Sequence, residues 1–428
     1  MLSLQLIREQ PEMVKAGIAR RHEDTAVIDR IVELDERRRA LLAESETLRA
    51  RRNEVSKRIG TAAKSNPGLV EQVRAEMRQV GERIAELERG LAEVEQQLNA
   101  QMLEVPNVPY ESVPDGASED DFEIVGTWGT PRELPFPAQI HWDLGPALGI
   151  IDFERGVKLS GTRFYLLRGQ GANLQRALIQ WMLDVHTREH GYVELQVPYL
   201  LKPESMVWAA QLPKFADNLY HDDESGLWLI PTAESALAGV YANEILEPGA
   251  LPVKMVAYTA CFRKEKMASG KDTRGIKRGF QFDKVEMFQI VEPGRDLAAL
   301  DEMVDQATTL LRQLELPYRV KALCTADISF QSAKTFDLEV WSPGVEEWLE
   351  VSSCSTVRDF QARRANLRFR RESGSRPEFP YELNASGLAL PRLMISVIEN
   401  YQQPDGTIAV PDVLRAYMGG RAALEPLA

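Results

Sequence analysis

The chain has 428 residues, of which 44% are hydrophobic and 27% charged, with a formal net charge of −13 at pH 7. It is long enough for two or three domains with a sizeable core. Its acidic balance excludes indiscriminate nucleic-acid binding, which draws on local cationic density, and its three scattered cysteines, Cys261, Cys324 and Cys354, exclude a Cys-x-x-Cys metal knuckle.

No run of about eighteen apolar residues occurs, so no membrane partner is expected. The start Met-Leu-Ser-Leu-Gln-Leu-Ile-Arg lacks the basic flank, apolar stretch and cleavage site of a signal peptide, and a cytoplasmic location is expected.

Early in the chain, Ile31, Leu34, Leu41, Leu48, Val55 and Ile59 form one seam at spacings of three and four, interrupted by Arg38, Ser45 and Arg52. A second seam, Val73, Met77, Val80, Ile84, Leu87, Leu91, Val94 and Leu98, keeps the alternation unbroken, as a coiled coil does. Between them Thr61-Ala-Ala-Lys-Ser-Asn-Pro-Gly68 is a breaker cluster, so the two helices are expected to fold back as an antiparallel hairpin. A helix of about 34 residues is about 50 Å long and must project. Arg37, Arg38, Arg39, Arg49, Arg51, Arg52, Lys57 and Arg58 make one face of the first helix basic. Composition alone leaves open a solvated dimerisation coiled coil or a polyanion-binding surface. From Val105-Pro-Asn-Val-Pro onward prolines, glycines and acidic residues take over. The expected division is therefore an N-terminal domain at 1–104, a linker at 105–130 and a second domain at 131–428.

Asn173 to Glu189 is an amphipathic pattern with Leu174, Ala177, Leu178, Trp181, Met182 and Val185 on one side. Gly191 ends it, and a strand from Tyr192 to Val197 stops at Pro198. Further on, Leu229-Ile-Pro-Thr-Ala-Glu234 contains a Thr-x-Glu triplet. On an extended segment its hydroxyl and carboxylate lie on one side and can hold an ammonium group, although such triplets also cap helices.

From about Lys254 to Ile290 two alternating strands flank a basic loop carrying Lys266, Lys271, Arg274, Lys277 and Arg278. That connection is several times longer than a hairpin loop of about two to five residues. Gly270, Gly275 and Gly279 allow close backbone approach, and the charge suits a polyanion. Arg263, Glu265 and Glu286 at the strand ends are costly to half-bury without partners. The second strand puts Phe282, Lys284, Glu286 and Phe288 on one face. Asp337 to Trp341 and Glu347 to Val351 read as two more strands, closed by Ser352-Ser-Cys-Ser355. The basic string Gln361 to Arg371 is compatible with the core, with ATP or with RNA. Last, Leu383-Asn-Ala-Ser-Gly-Leu-Ala-Leu-Pro-Arg392 leads into a helix through Tyr401.

The Phe-Arg-x-Glu of Phe262 to Glu265, the basic loop, and Gln-Phe-Asp-Lys-Val-Glu-Met from Gln281 resemble the second signature motif of class II aminoacyl-tRNA synthetases. The form is that of bacterial-type seryl-tRNA synthetases. The segment ending at Pro198 is similar to the first motif, and that through Arg392 to the third. With Gln211-Leu-Pro-Lys-Phe215, also familiar from that family, the resemblance covers nearly the whole chain in the correct order.

The resemblance implies an α+β fold, with a mixed, mainly antiparallel sheet flanked by helices and an N-terminal antiparallel α-helical coiled-coil hairpin. It implies activation of L-serine with ATP and transfer to tRNA(Ser), with tRNA(Sec) as a further candidate, by a homodimer built on the first motif. ATP is expected at Arg263, Lys264, Glu265, Phe282, Glu350, Val351, Ser352, Ser353 and Arg392. Among these, Arg263 meets the α-phosphate and Arg392 the distal phosphates as the catalytic pair. Phe282 stacks on adenine, Glu265 accepts from its amine, and Glu350 with Ser353 holds Mg2+. Serine is expected among Thr232, Ala233, Glu234, Glu286, Asn384 and Ser386, and tRNA along Arg37, Arg38, Arg49 and Arg52. The sequence departs from the family pattern at Ala389 and Pro391, at Glu382 and at Ala385, the last two expected beside the serine pocket. Two alternatives compete: a paralogue that charges a carrier protein, expected to lack the arm, and a non-enzymatic coiled-coil tRNA binder, which need not retain Arg263, Glu286, Glu350 and Arg392.

Overall fold

The computed structural model describes residues 1–62, 67–266 and 274–426, without the side chains of 58–62, 67–70, 72 and 74. The expected turn at 61–68 therefore lies partly outside the described residues, as do Gly270 and Lys271 of the basic loop. Two compact units emerge, Leu2–Pro106 and Asn107–Ala428.

In the first unit, two short helices, α1 (Leu4–Glu9) and α2 (Pro11–Ala19), precede the long α3 (Ala26–Ala62) and α4 (Pro67–Glu104). Ser3 caps α1 by accepting the Leu6 amide at 3.4 Å. The seams bury Ile31 on α3 and Ile84, Leu87, Val94 and Leu98 on α4, each such side chain contributing about 1.5–3 kcal/mol when fully buried. The two helices run antiparallel, as their polar pairs require. Arg30 donates to Gln101 at 3.3 Å, whereas Arg49 meets Glu88 at 2.7 Å and Arg83 meets Glu44 at 2.9 Å. Ser45, which interrupts the apolar seam, is nevertheless buried in it.

In the second unit the largest sheet among the described residues has eight strands. They are β1 (Glu123–Trp128), β2 (Val193–Glu194), β3 (Val253–Phe262), β4 (Gln281–Val291), β5 (Tyr318–Ala322), β6 (Lys334–Ser342), β7 (Glu347–Arg358) and β8 (Tyr381–Ala389). In space the order is β1-β5-β6-β7-β8-β4-β3-β2. Each neighbouring pair is antiparallel except β2 and β3. The helices beside it are α5 (His141–Ala147), α6 (Gln170–Arg188), α7 (Asp296–Gln313), α8 (Phe360–Ala365) and α9 (Leu390–Asn400).

Alternation along the strands decides which side chains meet which layer. Val256, Val285, Met287, Leu383 and Ala385 share one core with Leu178 of α6, Leu300 of α7 and Leu393 of α9. Met255, Ala257, Phe288 and Ile290 face the other way, into a second core with Ala362 and Ala365 of α8.

One expectation changes at this level. The stretch 105–130 is not a plain linker: Asn107 is buried, its side-chain amide donating to the carbonyls of Gln331 at 2.9 Å and Val357 at 2.8 Å. Within the same stretch β1 extends the sheet by pairing with β5. Proline and acidic content mark a coil in sequence, but pairing against β5 supplies the backbone partners that this segment lacks alone.

Candidate active site

On the face of the sheet that carries the second core, a cavity of about 550 Å³ opens between β3, β4, β7 and β8. Thr232, Glu234, Arg263, Glu265, Phe282, Glu350, Ser353, Asn384, Ser386 and Arg392 all line it. These residues span some 160 positions of sequence: Phe282, Glu350, Ser353, Asn384 and Ser386 come from the adjacent strands β4, β7 and β8, Arg263 and Glu265 follow β3, and Arg392 lies at the start of α9.

Arg263 follows directly on β3. Its Nε donates to the Pro231 carbonyl at 3.2 Å, and its guanidinium lies 5.1 Å from the centre of the Phe282 ring. Glu265 adopts φ +48°, in the left-handed region, and its carboxylate lies 3.8 Å from Arg278. A non-glycine residue in that region stores strain, which is typical of functional loops. Arg392, in the first turn of α9, donates to the Glu350 carbonyl at 3.0 Å and approaches the Glu350 carboxylate to 3.1 Å.

The spacing of Glu350 and Ser353 is odd, and a regular strand would send them to opposite faces. A bulge resolves this. Ser352 pairs with Leu338, whereas Glu350 pairs with Glu339, leaving Val351 as the extra residue. Glu350 and Ser353 therefore both face the cavity, while Val351 and Ser352 turn inward and are buried. Of the two inward residues, Val351 joins the core, and the Ser352 hydroxyl donates to the Ser386 carbonyl at 2.5 Å, so neither side chain faces the cavity.

Glu234 is 4% exposed. Gln361 donates to its Oε1 at 2.6 Å and Gln331 at 3.5 Å, while Asn384 donates to Oε2 at 3.3 Å. Burial, followed by the charge of Glu286, raises its carboxyl to about 7 despite these donors. Thr232 accepts the Glu234 amide at 3.3 Å.

Glu286 is completely buried and does not itself line the cavity. Its near neighbours cover it, for Lys284 forms an ion pair with it and Asn384 donates to it at 3.3 Å. Two further expected residues do not line the cavity. Ala233 packs into the second core, and the Lys264 ammonium lies 5.5 Å above the Tyr220 ring instead of lining the cavity. Ala385 also faces the first core rather than the pocket, because it alternates with Asn384 and Ser386. Glu382, of the same parity as Asn384, is buried, and burial pushes its carboxyl well above the usual carboxylate range.

Several contributors had no motif to announce them. Gln331 and Gln361 steady Glu234 from remote segments, whereas Lys284, which also lines the cavity, stands within the motif from Gln281, on the strand face of Phe282. Glu119 reaches the rim from the stretch expected to be linker. Asp337 is buried opposite Ser353, and burial with the nearby Glu350 pushes its carboxyl well above the ordinary range. The basic string is largely structural. Arg364 donates to the carbonyls of Val207 and Leu212, Arg363 pairs with Asp359, and Arg371 pairs with Glu292 and Glu378.

On the hairpin, Arg37 and Arg52 are exposed. Arg38 instead pairs with the buried Asp35 at 3.0 Å, and Arg49 is engaged by Glu88.

Among the described residues no group of three or more His, Cys, Asp or Glu side chains is placed to hold a metal. One carboxylate and one hydroxyl at Glu350 and Ser353 nevertheless fit a hard divalent cation, which takes oxygen donors and completes its shell with phosphates and water. The cavity thus combines guanidinium groups suited to a polyphosphate, a flat aromatic ring, and a buried carboxylate suited to an ammonium.

Residues 215–401 match the family model of the tRNA synthetase class II core domain (G, H, P, S and T), and residues 1–109 match that of the seryl-tRNA synthetase N-terminal domain. A serine–tRNA ligase of Chloroflexus aurantiacus is 56% identical over 427 residues, covering 100% of both chains. One of Thermomicrobium roseum is 55% identical over 421 residues, covering 98% of this chain and 94% of the relative. The crystal structure of seryl-tRNA synthetase from Pyrococcus horikoshii complexed with ATP superposes with a TM-score of 0.94 at 35% identity, covering 100% of both chains.

Proposed function

The chain belongs to the seryl-tRNA synthetase family, and from that premise we propose that the cavity between β3, β4, β7 and β8 is where seryl-adenylate forms. The chain activates L-serine with ATP, releasing pyrophosphate, and transfers serine to the 3′ end of tRNA(Ser). ATP is a substrate. The two alternatives lose their support, since the relatives match over the full length, arm included.

The carrying observation is that opposite chemistries converge in one cavity, which Arg263 and Arg392 line together with Thr232, Glu234 and Asn384. In this reading Glu234 and Thr232 receive the ammonium of serine, and Asn384 and Ser386 its hydroxyl side. The serine carboxylate then attacks the α-phosphorus as the bond to pyrophosphate breaks. Arg263 stabilises charge developing on the α-phosphate and Arg392 charge on the distal phosphates, catalysis being mainly alignment and electrostatics. Phe282 stacks on adenine, and Glu265 accepts from its amine. Glu350 and Ser353 would hold Mg2+, which supplies further neutralisation of phosphate charge. Transfer to tRNA follows without a protein general base.

Glu286 takes a different part from the one expected. Covered by Lys284 and Asn384, it holds those two side chains in place. Alanine would leave this buried polar end unpaired and so be rejected. The exposed Val193 and Leu200 near the edge strand β2 support a homodimer through the first motif. On the arm, Arg37, Arg38, Arg49 and Arg52 are assigned to the tRNA backbone, Arg38 and Arg49 by exchanging carboxylate for phosphate. tRNA(Sec) is a second candidate substrate. No helix among the described residues is long and apolar enough to cross a membrane, which is compatible with a cytoplasmic location.

The test is serine-dependent exchange of pyrophosphate with ATP. Arg263→Ala is expected to abolish it while leaving thermal unfolding unchanged. Near-normal exchange in that variant would remove Arg263 from its role.

A further inference from the structure

A second cavity of about 390 Å³ lies beside the first and shares Lys277 with it. Its wall includes His141, Trp142, Arg274, Gly344 and Val345. His141 is 1% exposed and sits at the start of α5. Its Nδ1 is 2.8 Å from Glu399 Oε1, and the Ile276 amide donates to its Nε2 at 3.4 Å.

These two contacts fix the imidazole. Nε2 must be the unprotonated acceptor for the Ile276 amide, so Nδ1 carries the proton and donates to Glu399. Ile276 belongs to the returning limb of the basic loop and is fully buried in the first core. Gly275, at φ +74°, makes this close approach possible, for a Cβ there would stand 2.2 Å from His141 Nε2. Arg274 adds a guanidinium 5.2 Å from the centre of the Trp142 ring. Immediately after Ile276 come Lys277, Arg278 and Gly279, all of which line the first cavity.

We infer that His141 is a positioning residue for adenylate formation: held by Glu399, it pins the Ile276 amide and so sets Lys277 and Arg278 against the phosphate end of the active site. The inference rests on the functional reading given above. Glu399 does not depend on the ring alone. It also accepts from the His141 amide at 3.0 Å, the Ser342 hydroxyl at 2.6 Å, and the Gly344 and Val345 amides at 2.9 and 3.1 Å. Removing the imidazole therefore leaves that carboxylate bonded, and His141→Phe keeps most of the ring volume.

The experiment is steady-state pyrophosphate exchange with the full-length chain, its His141→Phe and Arg278→Ala variants, and the double variant. His141→Phe is expected to raise KM for ATP roughly three- to tenfold, the scale of one hydrogen bond, with KM for serine unchanged. In the Arg278→Ala background it is expected to add little, because its effect passes through the same limb. Gly275→Ala forces the same contact apart from the loop side, should give the same split, and carries the test if His141→Phe does not fold. An unchanged KM for ATP, an equal rise for both substrates, or independent multiplying effects in the double variant would overturn the inference alone. Absence of serine-dependent exchange in the unsubstituted chain would overturn the functional reading on which it rests.

Discussion

Glu234 carries a pH signature that follows from its surroundings. Burial and Glu286 bring its carboxyl to about 7, whereas an ammonium ligand needs the ionised form. As pH falls through 7 the carboxyl takes up a proton, so KM for serine should rise, approaching about tenfold per unit, while KM for ATP stays flat. Gln361→Leu removes the shortest donor to the anion, which raises the carboxyl further and moves the inflection in the serine profile to higher pH. A serine profile flat between pH 6 and 8 would remove Glu234 as the ammonium partner. At this scale the Thr-x-Glu triplet was legible, but its supports were not. Gln361 lies in a string read for its arginines, and Gln331 has no local pattern, because both meet Glu234 only through tertiary packing.

At the scale of elements, period-two alternation put Phe282 and Lys284 of β4 on one face, and both line the cavity, but β8 was read only as a stretch leading into a helix, and Ala385, expected beside the pocket, faces the first core. Alternation failed on β7, where a bulge inserts Val351 and moves Glu350 and Ser353 to the same side. Bulges leave no fixed residue signature when the extra position is an apolar residue that packs well. Deleting Val351 should restore the regular ladder and leave Glu350 two positions from Ser353, so that both still face the cavity. The expected result is retained ATP-dependent exchange together with a lower Tm, since the buried Val351 side chain is lost from the first core; loss of exchange in a folded variant would show that facing the cavity is not enough to place Glu350. The segment around β1 was misread for a related reason. Its prolines and acids describe the isolated chain, whereas its strand exists only against β5.

For the molecule as a whole, the heptad seams made the hairpin legible over its described residues, where each helix buries its stripe against the other. The charge on its face was less so. Arg38 and Arg49 looked free in sequence but meet the buried Asp35 and the exposed Glu88 in the fold, and an exposed pair such as Arg49–Glu88 is worth little, roughly 0–1 kcal/mol. Replacing residues 27–100 with a short turn, at the point where Arg30 and Gln101 already meet, should spare pyrophosphate exchange and impair charging; equal loss of both would contradict the proposed division between arm and active site. The most direct measurement is ATP-dependent charging of bulk bacterial tRNA with labelled serine, threonine and alanine in parallel. Serine alone is expected on the tRNA. No charging, with pyrophosphate exchange driven by another small amino acid, would contradict the assignment of this site to serine and tRNA.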